Sequence, residues 1–415
     1  MKKLFFILQF CFISFAFAQN ETLFKFKYKE GDNFSLISNV VEDVKVNGRL
    51  NHKAQIISRV SEKVEKVDEN GRGFIKAKFM TSENSTSSRN NNSTYKWGEN
   101  FQSEFWRSEK GIFEINENYF MPVIRDLPVF PDKPLKIGDE WSADGYEAED
   151  LRRDLNVTKP FKVPFIAKYK YVRDEEGFSK ADSSVKKTFQ VIEASYSLYY
   201  ETPLNQNEFQ NVKSDFPVTT MGYSFRTIWW DNEKGQIDHY EENFRIIMET
   251  LFGNNYQFTG KTFVEVTEFK TSATEENVKY VQEKIEDLGI KDVSVSKSEQ
   301  GLTLSIENIN FRADSAVLEE SEKEKLNKII KILENFSEND LLISGHTARV
   351  GSEESCQILS EMRAQSVAEF LLSKNVRKEN HIFTQGFGSK IPVSSNKTEE
   401  GKAKNRRVEI TLLDE

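Results

Sequence analysis

Residues 345–364 read GHTARVGSEESCQILSEMRA, and residues 405–413 read NRRVEITLL. Upstream of the first stretch, Leu341, Leu342, Ile343 and Ser344 form a short apolar run that reads as a buried strand entering a glycine-bounded loop. The residues after the loop carry a helical pattern, with Leu359, Met362, Val367 and Phe370 inward and Gln357, Glu361 and Gln365 outward. Before the strand, Ser321 and Glu324 have capping-box spacing, and Leu326, Ile329, Ile330 and Leu333 make one helical stripe. Residues 382–384 and 408–412 alternate as strands, which predicts a mixed βαβα sheet and an α+β class for this part of the chain.

In this order, with Gly-Phe-Gly at 386–388 and Asn-Lys-Thr at 396–398 between them, the motifs resemble the OmpA-like module. That module grips cell-wall peptidoglycan in the envelope of many double-membraned bacteria. The resemblance covers about residues 300–415 and implies a domain spanning 275–415. In the family, His-Thr is followed by Asp, a glycine, an asparagine on the next helix, then Leu-Ser and Arg-Ala. Here Gly351, Leu359, Ser360, Arg363, Ala364, Arg406 and Arg407 keep the pattern, whereas Ala348 replaces the aspartate and Cys356 the asparagine.

The resemblance implies a ligand pocket made of His346, Thr347, Ala348, Arg349, Gly351, Cys356, Arg363 and Arg407. In the family the aspartate takes the ammonium of diaminopimelate while the arginine of Arg-Ala forks onto its carboxylate. A charge-assisted hydrogen bond is worth about 1.5–3 kcal/mol, so loss of the aspartate alone weakens binding by roughly 10- to 150-fold. Three readings stay open: a structural or protein-contacting module, an anchor for peptidoglycan of different stem chemistry, with a diamine lacking the second carboxylate or with Glu353 or Glu354 supplying the charge, or an arginine-rich pocket of Arg349, Arg363 and Arg407 for another anion. Beside them stand plainer roles. His346 and Thr347 can simply bond the loop, Arg407 can pair with Glu409, and Cys356 can be a small buried residue.

Composition bounds the rest. The first eighteen residues, with Lys2 and Lys3, an apolar stretch and Ala16-Phe17-Ala18, read as a secretory leader, cleaved before Gln19. Its removal takes the formal charge from -9 to -11 and leaves one cysteine, Cys356. Such an acidic chain does not suit nucleic acid. The four histidines, His52, His239, His346 and His381, lack metal-ligand spacing, and no phosphate loop or nucleophile elbow occurs, so neither metal nor cofactor is expected.

Residues 19–270 are strand-like, as in Phe24-Lys25-Phe26-Lys27-Tyr28 and Tyr223-Ser224-Phe225-Arg226-Thr227, with turn signals at Gly31, Asn47-Gly48, Asn70-Gly71 and 231–235. This predicts antiparallel sheets, divided into 19–145 and 146–270, with a polar loop at 82–94. The proline-rich segment 121–141 is expected to lie over a sheet edge, and ends in Gly-Asp-x-Trp, which resembles envelope β-domains that curl a sheet around a core. Charges on both strand faces and the prolines favour a soluble domain over a lipid-embedded barrel. Residues 271–276 read as a polar joint, followed by an amphipathic helix through Val278, Val281, Ile285 and Leu288 and by strands at 293–296 and 302–306. The whole reads as a non-enzymatic, periplasmic, outer-membrane-associated protein with envelope proteins as partners and peptidoglycan a doubtful one. The competing class is a wall-directed hydrolase acting through carboxylates of the β region.

Overall fold

A computed structural model describes residues 21–86, 95–152, 159–202, 215–267, 271–307, 309, 311 and 316–414. The leader at 1–18 and residues 87–94 of the polar run lie outside them.

Twelve strands form the N-terminal region: β1 (Asn33–Val46), β2 (Arg49–Val67), β3 (Gly73–Thr86), β4 (Tyr95–Arg107), β5 (Phe113–Ile115), β6 (Ile124–Arg125), β7 (Glu140–Glu149), β8 (Phe161–Phe178), β9 (Lys186–Glu201), β10 (Pro217–Asp231), β11 (Gln236–Thr250) and β12 (Asn255–Thr267). Successive strands pair antiparallel from β1 to β5 and from β6 to β12, and β1 also pairs β12 in a long register from Ser35↔Thr267 to Val46↔Tyr256. The tightest turn is Asn47-Gly48, both at positive φ (51° and 76°), the backbone a two-residue hairpin requires.

The sheet is strongly curled. Phe26 N–H donates to Glu109 O (2.8 Å) and the adjacent Lys27 N–H to Gly235 O (3.2 Å). Those carbonyls belong to the β4–β5 and β10–β11 turns, five strand positions apart, which a flat sheet would separate by roughly 24 Å. Phe24-Lys25-Phe26-Lys27-Tyr28 is therefore not a strand, as its alternation suggested. It crosses the inner face, with Phe24 and Phe26 buried against Phe130, Tyr171 and Trp230.

The proline-rich segment meets the sheet edge only at its start, where Ile124 and Arg125 pair with β7, and then turns inward. Leu127, Phe130 and Leu135 are buried in the same cluster as Phe165, Tyr196 and Trp230, and the Trp141 indole donates to Val129 O (2.7 Å). That cluster draws on both expected halves, and the division at 145/146 falls inside β7, whose ladder to β8 continues unbroken from Glu140↔Lys170 to Glu149↔Phe161. The polar run also differs from expectation, because residues 82–86 extend β3 and pair with β2 up to Lys53↔Thr86. Ser82 and Asn84 are buried there despite their polarity, and Ser82 donates to Ile57 O (3.1 Å).

The C-terminal module runs α1 (Glu275–Asp287), β13 (Val293–Ser298), β14 (Gly301–Glu307), α2 (Glu320–Leu333), β15 (Leu341–Gly345), α3 (Glu353–Ser373), β16 (Ile382–Gly386), α4 (Glu399–Asn405) and β17 (Arg407–Leu413). Strand order is β13-β14-β17-β15-β16, with β15–β16 parallel and the rest antiparallel, the mixed sheet expected. Two local readings change. The cap of α2 is Glu319, without a side-chain hydrogen bond, so Ser321 lies in the first turn and makes no capping box. The inward face of α3 is Cys356, Ser360, Ala364, Val367, Ala368 and Leu371, while Met362 is exposed. Small residues face inward because the helix lies close on β15, where a Cβ on Gly345 would come 2.1 Å from Ser360 O.

The two parts are joined into one sheet. β16 pairs in parallel with β4 through Phe383↔Tyr95 and Thr384↔Lys96. Ile57, Tyr95 and Trp97 from the β region form one buried cluster with Leu342, Phe383 and Leu413. At its side the buried Arg59 pairs with Asp340, lies over the Phe383 ring (4.4 Å), and shares Asp340 with His381 Nδ1 (2.5 Å). The polar joint is held as well: Ser272 N–H donates to Asp414 Oδ1 (2.6 Å), Ser272 Oγ–H reaches Leu412 O (2.8 Å), and Thr274 caps α1.

Candidate ligand pocket

The loop between β15 and α3 is fixed from three sides. His346 N–H donates to Arg407 O (3.0 Å) and Thr347 N–H to Gly388 O (2.9 Å). Arg349 N–H donates to Asn396 Oδ1 (3.0 Å), and Asn396 is held in turn by the buried Asn405 amide (3.0 Å). Gly351 takes φ +82°, and Ser352 then caps α3 by accepting from Ser355 N–H (3.1 Å). The sequence therefore brings the Gly-His-Thr loop, the Gly-Phe-Gly turn and the Asn-Arg-Arg strand together.

Within this frame the eight candidate residues separate into a buried knot and a more open set. His346, 2% exposed, stacks on Phe387 (5.1 Å between centroids) and faces Glu409 Oε2 (3.4 Å). Arg407, also 2% exposed, donates Nε–H to Glu409 Oε1 (2.7 Å) and Nη1–H to Ile391 O (3.2 Å). Burial, with the Arg407 charge acting the same way, holds the His346 imidazolium below the ordinary range against the pull of Glu409. Burial opposes ionisation of Glu409 too, but His346 and Arg407 outweigh it and hold its carboxyl at about 2. Since His346 is itself disfavoured as a cation, permanently charged Arg407 is the partner that acts at neutral pH.

Ala348 and Cys356, the two departures from the family pattern, are 4% and 3% exposed. The Cys356 thiol is turned back onto the loop, donating to Val350 O (3.2 Å) and facing Ala348 O (3.7 Å). Arg349 is exposed. Arg363, two helical turns beyond Cys356, is half-buried with its guanidinium over the Phe311 ring (4.8 Å). The structure brings Arg407 together with His346 through Glu409, and Cys356 together with Ala348; Arg363 is held by a different contact.

Residues 310–406 match the model of the OmpA family. The match to the OmpA family agrees with the resemblance carried by the motifs. The chain is 37% identical over 121 residues to a probable lipoprotein, YiaD, of Escherichia coli K12, covering 29% of this chain and 55% of that protein. It is 41% identical over 104 residues to the peptidoglycan-binding protein ArfA of Mycobacterium tuberculosis H37Rv, covering 25% of this chain and 32% of that one. Among solved structures, an outer-membrane protein from Borrelia burgdorferi B31 shares 38% identity, with 29% of this chain and 96% of that chain covered at a TM-score of 0.25. The chain thus spans about a third to a half of the length of these curated relatives, and the matched part is the C-terminal module.

Phe387, Phe311 and Asn405 belong to the site without being among the pocket residues that the motifs imply. Phe387 sits inside the Gly-Phe-Gly turn that was recognised, so its position was available as a signal. Phe311 gave none, because its contact with Arg363 joins residues far apart in sequence.

Proposed function

We propose that this chain is a non-enzymatic protein of the cell envelope in which an OmpA-like module has kept its fold while its diaminopimelate clamp is broken. The observation that carries this reading is Ala348: the clamp's acid position is a buried methyl group, and the neighbouring Cys356 spends its thiol on loop carbonyls. Arg363 is the half that remains. Losing the charged acceptor costs roughly 10- to 150-fold, enough to carry a micromolar affinity toward a millimolar one.

The named relatives support an envelope role, since ArfA is a peptidoglycan-binding protein and YiaD a probable lipoprotein. Two alternatives lose ground on particular contacts. Glu353, one of two candidate substitutes for the missing aspartate, is exposed and has Lys390 as a loose neighbour (3.9 Å), and Glu354 is exposed as well. Arg407, one of three cations invoked for another anion, is committed to Glu409 and the Ile391 carbonyl. The hydrolase reading asks for facing carboxylates in a cleft, whereas the paired Glu147 and Glu149 lie inside the curled sheet with Glu147 2% exposed.

A soluble, periplasmic β region beside the outer membrane fits the strand faces. On β8 the exposed positions include Lys162, Pro164, Lys168 and Lys170, a poor wall for lipid, while Phe161, Val163, Phe165, Ala167, Tyr169 and Tyr171 are buried. The test is co-sedimentation of the full mature chain with purified diaminopimelate-type sacculi at physiological salt. Retention in the supernatant is expected. Strong, saturable pelleting would refute the broken clamp.

A further inference from the structure

Glu147 and Glu149 stand two residues apart on β7 and point to the same, inner side of the curled sheet, opposite Val163 and Phe161 of β8. Glu147 Oε1 accepts from the Tyr196 hydroxyl of β9 (2.6 Å), but among the described residues no N–H or O–H reaches its buried Oε2. The group beside it along the strand, on the same face, is the Glu149 carboxyl. Two neighbouring carboxyls, one of them 2% exposed with an oxygen that no donor reaches, are not readily both ionised, so a proton held between them relieves the pair.

Among the described residues no cation pairs with either carboxyl. Arg226 of β10 is the buried guanidinium nearby, and it is spent on Glu242 of β11 (2.9 Å) with Tyr240 beneath it (4.2 Å). Glu242 also accepts from Ser224 (2.6 Å). From the other side Glu42 of β1 feels the charges of Glu83 and Glu149, and Asp150 is held by Arg152 (2.6 Å).

We infer that Glu147 and Glu149 share one proton in the folded protein, and that giving it up loosens β7 and the adjoining proline-rich segment from the sheet, making this pair a pH-sensitive latch. The mechanical link is direct. The amide of Ala148, between the two acids, donates to Val123 O (2.8 Å), and Met121 O of the same segment accepts from Ser103 of β4 (2.6 Å). Two anions on either side of Ala148, one of them withdrawn from water, repel each other and push β7 outward.

The titration of the cluster agrees in direction. Burial first, then the Glu149 charge, hold the Glu147 carboxyl well above the ordinary range, and burial raises Glu149 likewise. Burial, then Glu83 and Glu149, push Glu42 up to about 7. Each raised carboxyl favours the protonated native state. Its contribution is therefore present at low pH and is lost as pH climbs from the ordinary carboxyl value through the raised one.

The experiment measures thermal stability of the full mature chain from about pH 5 to about pH 9 in the wild type, Glu147→Gln and Glu149→Gln, with amide exchange at Ala148 corrected for the intrinsic rate. The wild type is expected to lose stability as pH rises, with Ala148 exchanging about tenfold faster per pH unit across the transition. The glutamine variants, which keep the shape without an ionisable proton, are expected to flatten both trends. Equal pH slopes in all three proteins would overturn the latch. Should a variant fail to fold, infrared spectroscopy of the wild type decides: a protonated-carboxyl C=O stretch at neutral pH that disappears at alkaline pH supports the shared proton, and its absence refutes it.

Discussion

Replacing Arg59 by methionine tests how the two parts of the chain are held together. Arg59 and Asp340 are 6% and 2% exposed at the side chain, so neither charge relies on water, and without Arg59 the Asp340 carboxyl keeps His381 as its neighbour (2.5 Å). Leaving one partner of a buried pair wholly unpaired costs about 3–5 kcal/mol, a factor of roughly 10² to 10³ in an equilibrium constant, and with His381 still beside Asp340 that figure is the upper bound here. The methionine retains much of the volume over Phe383, which separates the charge effect from a cavity effect. Trp97, buried in the junction cluster, supplies a local fluorescence signal that other tryptophans can be silenced to isolate. In urea the Arg59→Met chain is expected to expose Trp97 in an early transition, ahead of the loss of sheet signal, whereas the wild type loses both together. The double replacement Arg59→Met with Asp340→Leu is expected to regain most of the loss, because an apolar pair needs no counter-charge. An unchanged Trp97 midpoint in Arg59→Met would refute the idea that this ion pair secures the junction.

In the ligand pocket, Ala348→Asp together with Cys356→Asn is expected to raise affinity for diaminopimelate-type sacculi by roughly 10- to 150-fold, read by co-sedimentation; no gain in a folded double variant would mean that Arg363, over Phe311, does not face the ligand. Glu409, held at about 2, has a lowered native value, so it adds stability at and above the ordinary carboxyl range that disappears as pH falls toward 2. Glu409→Gln should accordingly lower the melting temperature at neutral pH by an amount worth up to about 3 kcal/mol and converge with the wild type in strong acid; a pH-independent difference would count against ionisation as the cause.

The C-terminal module was legible because its signals are local and reinforce one another. Apolar Leu341–Gly345, the loop glycines and the alternating Val408, Ile410 and Leu412 each specify an element without reference to distant residues. Errors arose where packing overrode pattern. Met362 looks like a core residue by spacing, yet the core side of α3 is lined by Ser360 and Ala364, because only small groups fit that close to β15. Ser82 and Asn84 look like loop residues, yet pairing with β2 satisfies their backbone and burial hides their side chains. In the N-terminal region alternation reported strand content well, but the closure of β1 on β12 and the burial of Phe24 and Phe26 are long-range facts that no short window contains. At the candidate site the motif residues were readable, whereas the Arg363 contact with Phe311 and the Glu147–Glu149 pairing depend on the finished fold.

The two-pair ladder between β4 and β16 also guards a vulnerable border. β16 is the last strand of the C-terminal sheet, and without a neighbour it would present free N–H and C=O groups to any passing chain. Tyr95 and Lys96 occupy that border, and Trp97 packs its ring against Phe383 (5.6 Å) to keep it closed. A chain cut before α1 would shed this guard and leave Phe383 at an open strand margin, so the N-terminal sheet serves its companion as a built-in protection against self-association.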